Sequence, residues 1–104
     1  NFVEAVDELT NILPKSSPDI QKEICTVFGN LHLVKTVPTL IKLLKSGPGL
    51  FGLVRGIDQE VRIRACWALT NFAEIKEAKD SIIQASKDSN AALRMFARDI
   101  LKTI

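Results

Sequence analysis

The chain has 104 residues, 46% of them hydrophobic and 25% charged, a balance that describes one small folded domain and excludes a disordered tail. Its 14 basic and 12 acidic residues are mixed along the sequence, so the net charge of +2 lacks the basic excess or stripe that marks a nucleic-acid-binding surface. No apolar run approaches the roughly 20 residues of a membrane helix, so neither nucleic acid nor membrane is expected as a partner.

Apolar residues recur every three or four positions almost throughout, which predicts helices and no strands. The first helix is expected from about Phe2 to Leu13, with Phe2, Val6, Leu9 and Leu13 on one face and Pro14 ending it. The second follows Ser17, a good N-cap, with Pro18 at the first helical position, where a missing N–H costs nothing. The third spans Val34 to Lys45, with Pro38 near its start. The fourth begins after Asp58 and runs through "QEVRIRACWALTNF". The fifth covers about Lys76 to Ser86, and the sixth runs from near Asn90 to Ile104. The chain starts at Asn1 with no signal-peptide pattern, and we expect it to be an excerpt of a longer or processed one.

Cys25 and Cys66 are too few for a disulfide framework or a zinc cluster and read as small helix residues, reduced, in a cytoplasmic setting. His32, the one histidine, falls in the turn after the second helix. No nucleophile–base arrangement can be assembled around it, and no metal-ligand spacing is present. The acidic pairs Asp7/Glu8 and Glu74/Glu77 read as solvated helix faces. We expect no catalysis, no cofactor and no metal.

The even-numbered helices superpose. With Ile20, Val61 and Leu93 in register, Ile24, Ala65 and Ala97 come four residues later. Val27, Ala68 and Ile100 come seven later, Phe28, Leu69 and Leu101 eight later, and Leu31, Phe72 and Ile104 eleven later. Three residues before the reference stand Ser17, Asp58 and Asn90, each a good N-cap. This is an internal repeat of helical hairpins.

"DQEVRIRACWAL" resembles the second helix of a HEAT repeat, roughly D-x-x-V-R-x-x-A-x-x-A-L. "NAALRMFARDIL" and "SPDIQKEICTVF" are looser copies. The resemblance covers essentially the whole chain. It implies an all-α solenoid of three antiparallel hairpins, about 2–31, 34–72 and 76–104, forming a single domain over 1–104. It also implies an Asp six residues before the Arg, forming a ladder between neighbours. Asp88 and Arg94 match that spacing. The second repeat keeps Arg62 but has Gly56 at the acidic position, and the first has Lys15 and Gln21, so the ladder is expected to be incomplete.

The reference points are 41 residues apart in the first interval and 32 in the second, so about nine extra residues lie between Leu44 and Asp58. They form an inserted loop at about 46–57, "KSGPGLFGLVRGI". Its "GPGLFG" matches G-x-G-x-x-G. A dinucleotide site, however, needs a strand before the glycines, and a Walker loop needs a closing Lys-Ser/Thr. No nucleotide is expected. The loop instead carries an apolar knob with Leu50, Phe51, Leu53 and Val54, beside Arg55. It either folds back over its hairpin or meets a partner.

Positions three, six and ten after the reference lie off the apolar stripe. In the second and third repeats they include Arg64, Trp67 and Asn71, then Phe96 and Asp99. The resemblance places this face on the concave side of a solenoid. Trp and Arg dominate binding hot spots, so the face is read as a partner site, with Trp67 as ordinary core the alternative. The expected function is non-catalytic protein binding or scaffolding. The second reading is an accessory subunit or regulatory domain of an enzyme complex, as in the HEAT-like bilin lyases. Nucleic-acid binding ranks third and predicts a steep salt dependence.

Overall fold

A computed structural model of the chain describes residues 2–45 and 57–104. Those residues form six α-helices and no strand: α1 Phe2–Ile12, α2 Pro18–Leu31, α3 Val37–Leu44, α4 Gln59–Thr70, α5 Lys76–Ala85 and α6 Ala91–Leu101. The starts of the even helices follow from their caps. The Ser17 side chain accepts from the Ile20 N–H, Asp58 from the Glu60 N–H and Asn90 from the Leu93 N–H. Each satisfies one of the backbone donors that a helix start leaves without an internal partner.

The odd helices are shorter than their periodicity suggests. Leu13–Lys15 tightens into a 3₁₀ turn around Pro14, and Val34–Thr36 forms another before α3. Pro38 sits in the first turn of α3. Its fixed φ and missing N–H suit a helix start but not an interior, so the helix proper begins at its threshold. α2 ends at His32, the one non-glycine residue of positive φ among those described, in the left-handed conformation at φ 54°. Its exposed ring meets Phe72 edge-on, with centroids 6.1 Å apart.

α4 is the central helix, packed against α2, α3, α5 and α6. α3 also rests on α5, and α5 on α6. Val61, Ala65, Ala68, Leu69 and Phe72 are buried on α4, as are Ile24 and Phe28 on α2 and Leu93 and Ala97 on α6. The radius of gyration, 12.7 Å, matches the ~13 Å of a compact chain this long. Among the described residues no helix is long and apolar enough to cross a membrane.

Three members of the predicted apolar stripe depart from it. Ile20 is 47% exposed, Val27 38% and Ile104 39%. On α2 the buried positions are shifted by one residue, to Gln21, Cys25 and Gly29 beside Ile24 and Phe28. At Gly29 α2 lies close against α4. A Cβ built there would lie 2.9 Å from Trp67 Cζ3 and 3.1 Å from the Ala68 Cα.

Polar links cross each helix junction. The Arg62 guanidinium grips Asp88 with two bonds, Nη2 to Oδ1 at 2.6 Å and Nη1 to Oδ2 at 3.2 Å. Arg62 Nε also donates to the Leu44 carbonyl at 2.9 Å. The Asp88 carboxylate therefore serves the preceding helix pair, while Arg94 donates to backbone carbonyls, those of Asp88 at 2.9 Å and Ser89 at 3.4 Å. Between α2 and α4 the Arg–Asp rung is replaced. Lys22 donates to Glu60 at 3.0 Å, and Arg64 donates to the Thr26 hydroxyl at 2.6 Å. Gln21, at the position matching Arg62, instead donates to the Leu13 carbonyl at 3.0 Å.

Cys25 and Cys66 are both buried and form no disulfide. Burial pushes each thiol up to about 12, the nearby Arg64 charge offsetting a little of this at Cys25. At neutral pH only on the order of 10⁻⁵ of each is thiolate, the reactive form. Neither cysteine should react with a thiol reagent until the helices open. Labelling under native conditions should track global unfolding and accelerate with urea. Rapid labelling of one cysteine in native buffer would show that its helix is not packed as described.

Candidate interaction surface

Trp67 projects from α4 beside Ala68, the residue that meets Gly29. Its six-membered ring lies over that glycine, close enough that no side chain fits between them. The rest of the indole faces outward and leaves Trp67 half-buried. Trp67 is therefore neither fully buried nor free of the core. It packs against the core, and it also lines an open depression of about 390 Å³ with Thr26 of α2, Ile63 and Arg64 of α4, and Phe96 of α6.

The spacing explains this gathering. Arg64 stands three residues before Trp67 and so lies on the same side of α4. Its guanidinium is held against α2, where Thr26 Oγ1 accepts from it. The Thr26 hydroxyl donates its own hydrogen to the Lys22 carbonyl at 3.1 Å, which leaves its lone pairs for Arg64. The cation is thereby positioned at the rim rather than swinging in solvent. Phe96 closes the far side from α6.

Two of the expected site residues are elsewhere. Asn71 follows the last turn of α4 and donates its side-chain amide to the Ala68 carbonyl at 3.3 Å, closing its own helix. Asp99 is exposed, 3.8 Å from Lys102, and does not line the depression. Helical spacing alone does not separate a residue that lines a surface from one that caps its own helix. Thr26 holds the position six after Ile20 on the expected face and Ile63 flanks it, and the structure brings both into the lining of the depression. The loop candidates Leu50, Phe51, Leu53 and Arg55, and all of the insertion before Ile57, lie outside the described residues.

A larger depression, about 720 Å³, lies between α3 and α5. Its apolar wall includes Val34, Val37, Pro38, Ile41 and Ile75, and charged residues such as Lys42 and Asp80 also line it. Sequence periodicity does not reveal it, since Val34 and Pro38 read there as ordinary members of one helix.

Reactive chemistry is sparse around both depressions. Among the described residues no three His, Cys, Asp or Glu side chains converge as metal ligands. The paired acids are spread over exposed faces. Asp7 pairs with Lys35 at 2.7 Å, and Glu8, Glu74 and Glu77 are exposed.

A half-buried indole resting on a glycine sets a clear expectation. The Trp67 emission maximum should fall between those of buried and solvated indole, with partial quenching by acrylamide. Trp67→Ala should cost about 2 kcal/mol in urea unfolding, below the ~3–5 kcal/mol of a fully buried aromatic. A loss above about 4 kcal/mol with fully shielded emission would remove Trp67 from the surface.

No protein-family model matches this chain, and neither a curated protein nor a solved structure matches it.

Proposed function

We propose that this chain is a non-catalytic protein-binding module, built as a stack of three helical hairpins resembling HEAT repeats. Its partner would meet the face carried by the second helix of each hairpin. The observation behind this reading is the Trp67 depression, where one aromatic is fixed against Gly29 yet open outward, with a positioned Arg64 and a second aromatic, Phe96, around it. A rigid aromatic beside a cation gives large contact area with little ordering cost, the usual make-up of a hot spot. The succession α2–α4–α6, with α3 on α5, supports the stacked arrangement. The depression is shallow and drawn from three helices, which suits a helix or extended peptide better than an enclosed small molecule.

The test is site-directed photocrosslinking in the native host. A benzoylphenylalanine replaces Phe96 in one variant and Ile83, on α5, in another. The proposal expects one discrete protein adduct from position 96, none from position 83, and loss of the adduct on adding Arg64→Ala. An adduct from 83 alone, or one insensitive to Arg64→Ala, would move the binding face elsewhere. A nucleic-acid adduct at 96 would refute a protein partner.

A further inference from the structure

We infer that the α2 end of the helix layer is an open docking edge for another helical hairpin carrying two basic residues four apart. This edge is distinct from the Trp67 depression, though the inference rests on the same stacked reading.

The two junctions inside the molecule define what faces what. Ala68 and Trp67, seven and six residues after the reference, meet Gly29, nine after it in α2. The zero and seven positions of a second helix therefore turn toward the helix before it. On α4 these are Val61 and Ala68, both buried, and on α6 they are Leu93, buried, and Ile100, half-buried. On α2 the same positions are Ile20 and Val27, both exposed. Their spacing of seven places them on one side of the helix. The edge thus carries the side chains of a junction with no helix against it.

Charge specifies the occupant. Within the molecule, Lys22 reaches forward to Glu60, the residue before the next reference position, and Thr26 meets Arg64, three after it. The matching residues on the open edge are Asp19, 3.5 Å from Lys22 yet with its side chain 91% exposed, and Glu23, also exposed. A helix stacking there in the same register would set its own second and sixth positions against Asp19 and Glu23. Basic residues at both, four apart and flanking a small apolar seam, complete the junction.

A second copy of this chain does not fit. Its α6 would present Asp99 to Glu23 and Arg94 to Lys15, two like-charge encounters. Its positions matching Cys25 and Gly29, which form the seam on α2, are Arg98 and Lys102. Both are exposed. Arg98 is tied to the Ser86 carbonyl at 3.1 Å and Arg94 to that of Asp88, and the position matching Lys22 is the exposed Met95, which carries no charge for Asp19.

The probe is a synthetic peptide of residues 2–31 carrying Thr26→Arg, which retains Lys22 and the Cys25–Phe28–Gly29 seam. Labelled with a fluorophore, it is titrated into the full chain by anisotropy. Saturable binding is expected, weakened tenfold or more by Ile20→Ser with Val27→Ser and by Glu23→Lys. Phe96→Ala should leave it unchanged. Circular dichroism of each variant confirms an intact fold, since all of these side chains are exposed or half-buried. The inference is overturned if no binding occurs up to millimolar peptide, or if binding ignores the α2 substitutions. Loss of binding in Phe96→Ala would place the peptide in the depression and also overturn it. Dimerisation of the unmodified chain in sedimentation, abolished by Ile20→Ser with Val27→Ser, would overturn the exclusion of a second copy.

Discussion

Arg62→Ala should lower the stability of the fold by about 3 kcal/mol, the range for breaking one side of a largely buried ion pair. Only 10% of the Arg62 side chain and 19% of that of Asp88 are exposed. Truncation leaves the Asp88 carboxylate without its two-pronged partner and the Leu44 carbonyl without the Nε donor. It also removes a long aliphatic stem from the contact between α4 and the turn before α6. Arg62→Lys should recover only part of the loss, because an ammonium cannot supply the planar fork.

The pair also sets a pH signature. The hydrogen bond from Arg62 holds the Asp88 carboxyl below the ordinary value of 3.8, and the Asn90 N–H contributes in the same direction against the opposing effect of burial. A carboxyl depressed in the folded state contributes its full stabilisation above the unfolded value. It loses that contribution as pH falls through the folded one. The wild type should weaken from about pH 5 downward, and Asp88→Asn should show a shallower decline over the same window. Equal slopes in denaturant midpoint against pH would mean that the ion pair is not formed in solution.

Gly29→Val should be comparably damaging, at about 3 kcal/mol, or roughly 15 °C in melting temperature for a chain of this size. A Cβ at Gly29 falls 2.9 Å from Trp67 Cζ3, 3.1 Å from the Ala68 Cα and 3.2 Å from the Ala68 Cβ. Ordinary carbon contacts sit at ~3.5–4.0 Å, so α2 and α4 must move apart or the indole must leave its seat. Backbone cannot give way as a flexible side chain can. Gly29→Ala should cost less, about 1 kcal/mol net, because the gain in helix propensity of about 1 kcal/mol offsets part of the clash. Asn30→Ala, one position on and exposed, should change stability by less than ~0.5 kcal/mol. If all three substitutions behave alike, the close crossing is absent.

Much of this arrangement is legible in the sequence, for identifiable reasons. Ser17, Asp58 and Asn90 announce their helices because a short polar side chain before an apolar period has few other uses. The register of Ile24, Ala65 and Ala97 survives into the fold because all three face the same interior. The fate of Ile20 and Val27 is not legible. Periodicity reports which residues share a side of a helix, not whether another helix lies against that side. Asp88 shows a similar limit. Spacing pairs it with Arg94 in its own repeat, but the carboxylate turns back to Arg62, and only its carbonyl serves Arg94. Arg64 and Trp67 were readable as a surface pair through their spacing of three. The glycine that seats the indole was not, since Gly29 looks in sequence like a weak point in α2.

The central claim is that α2 and α4 are register-matched neighbours, with Trp67 seated over Gly29 at the surface proposed to meet a partner. The most direct measurement is the nuclear Overhauser contact between the Trp67 Hζ3 and Gly29 Hα protons in the native chain. The structure predicts a strong cross-peak, because a substituent on the Gly29 Cα would touch Cζ3. Absence of that cross-peak, with both resonances assigned and sharp, would contradict the helix crossing and the surface built upon it.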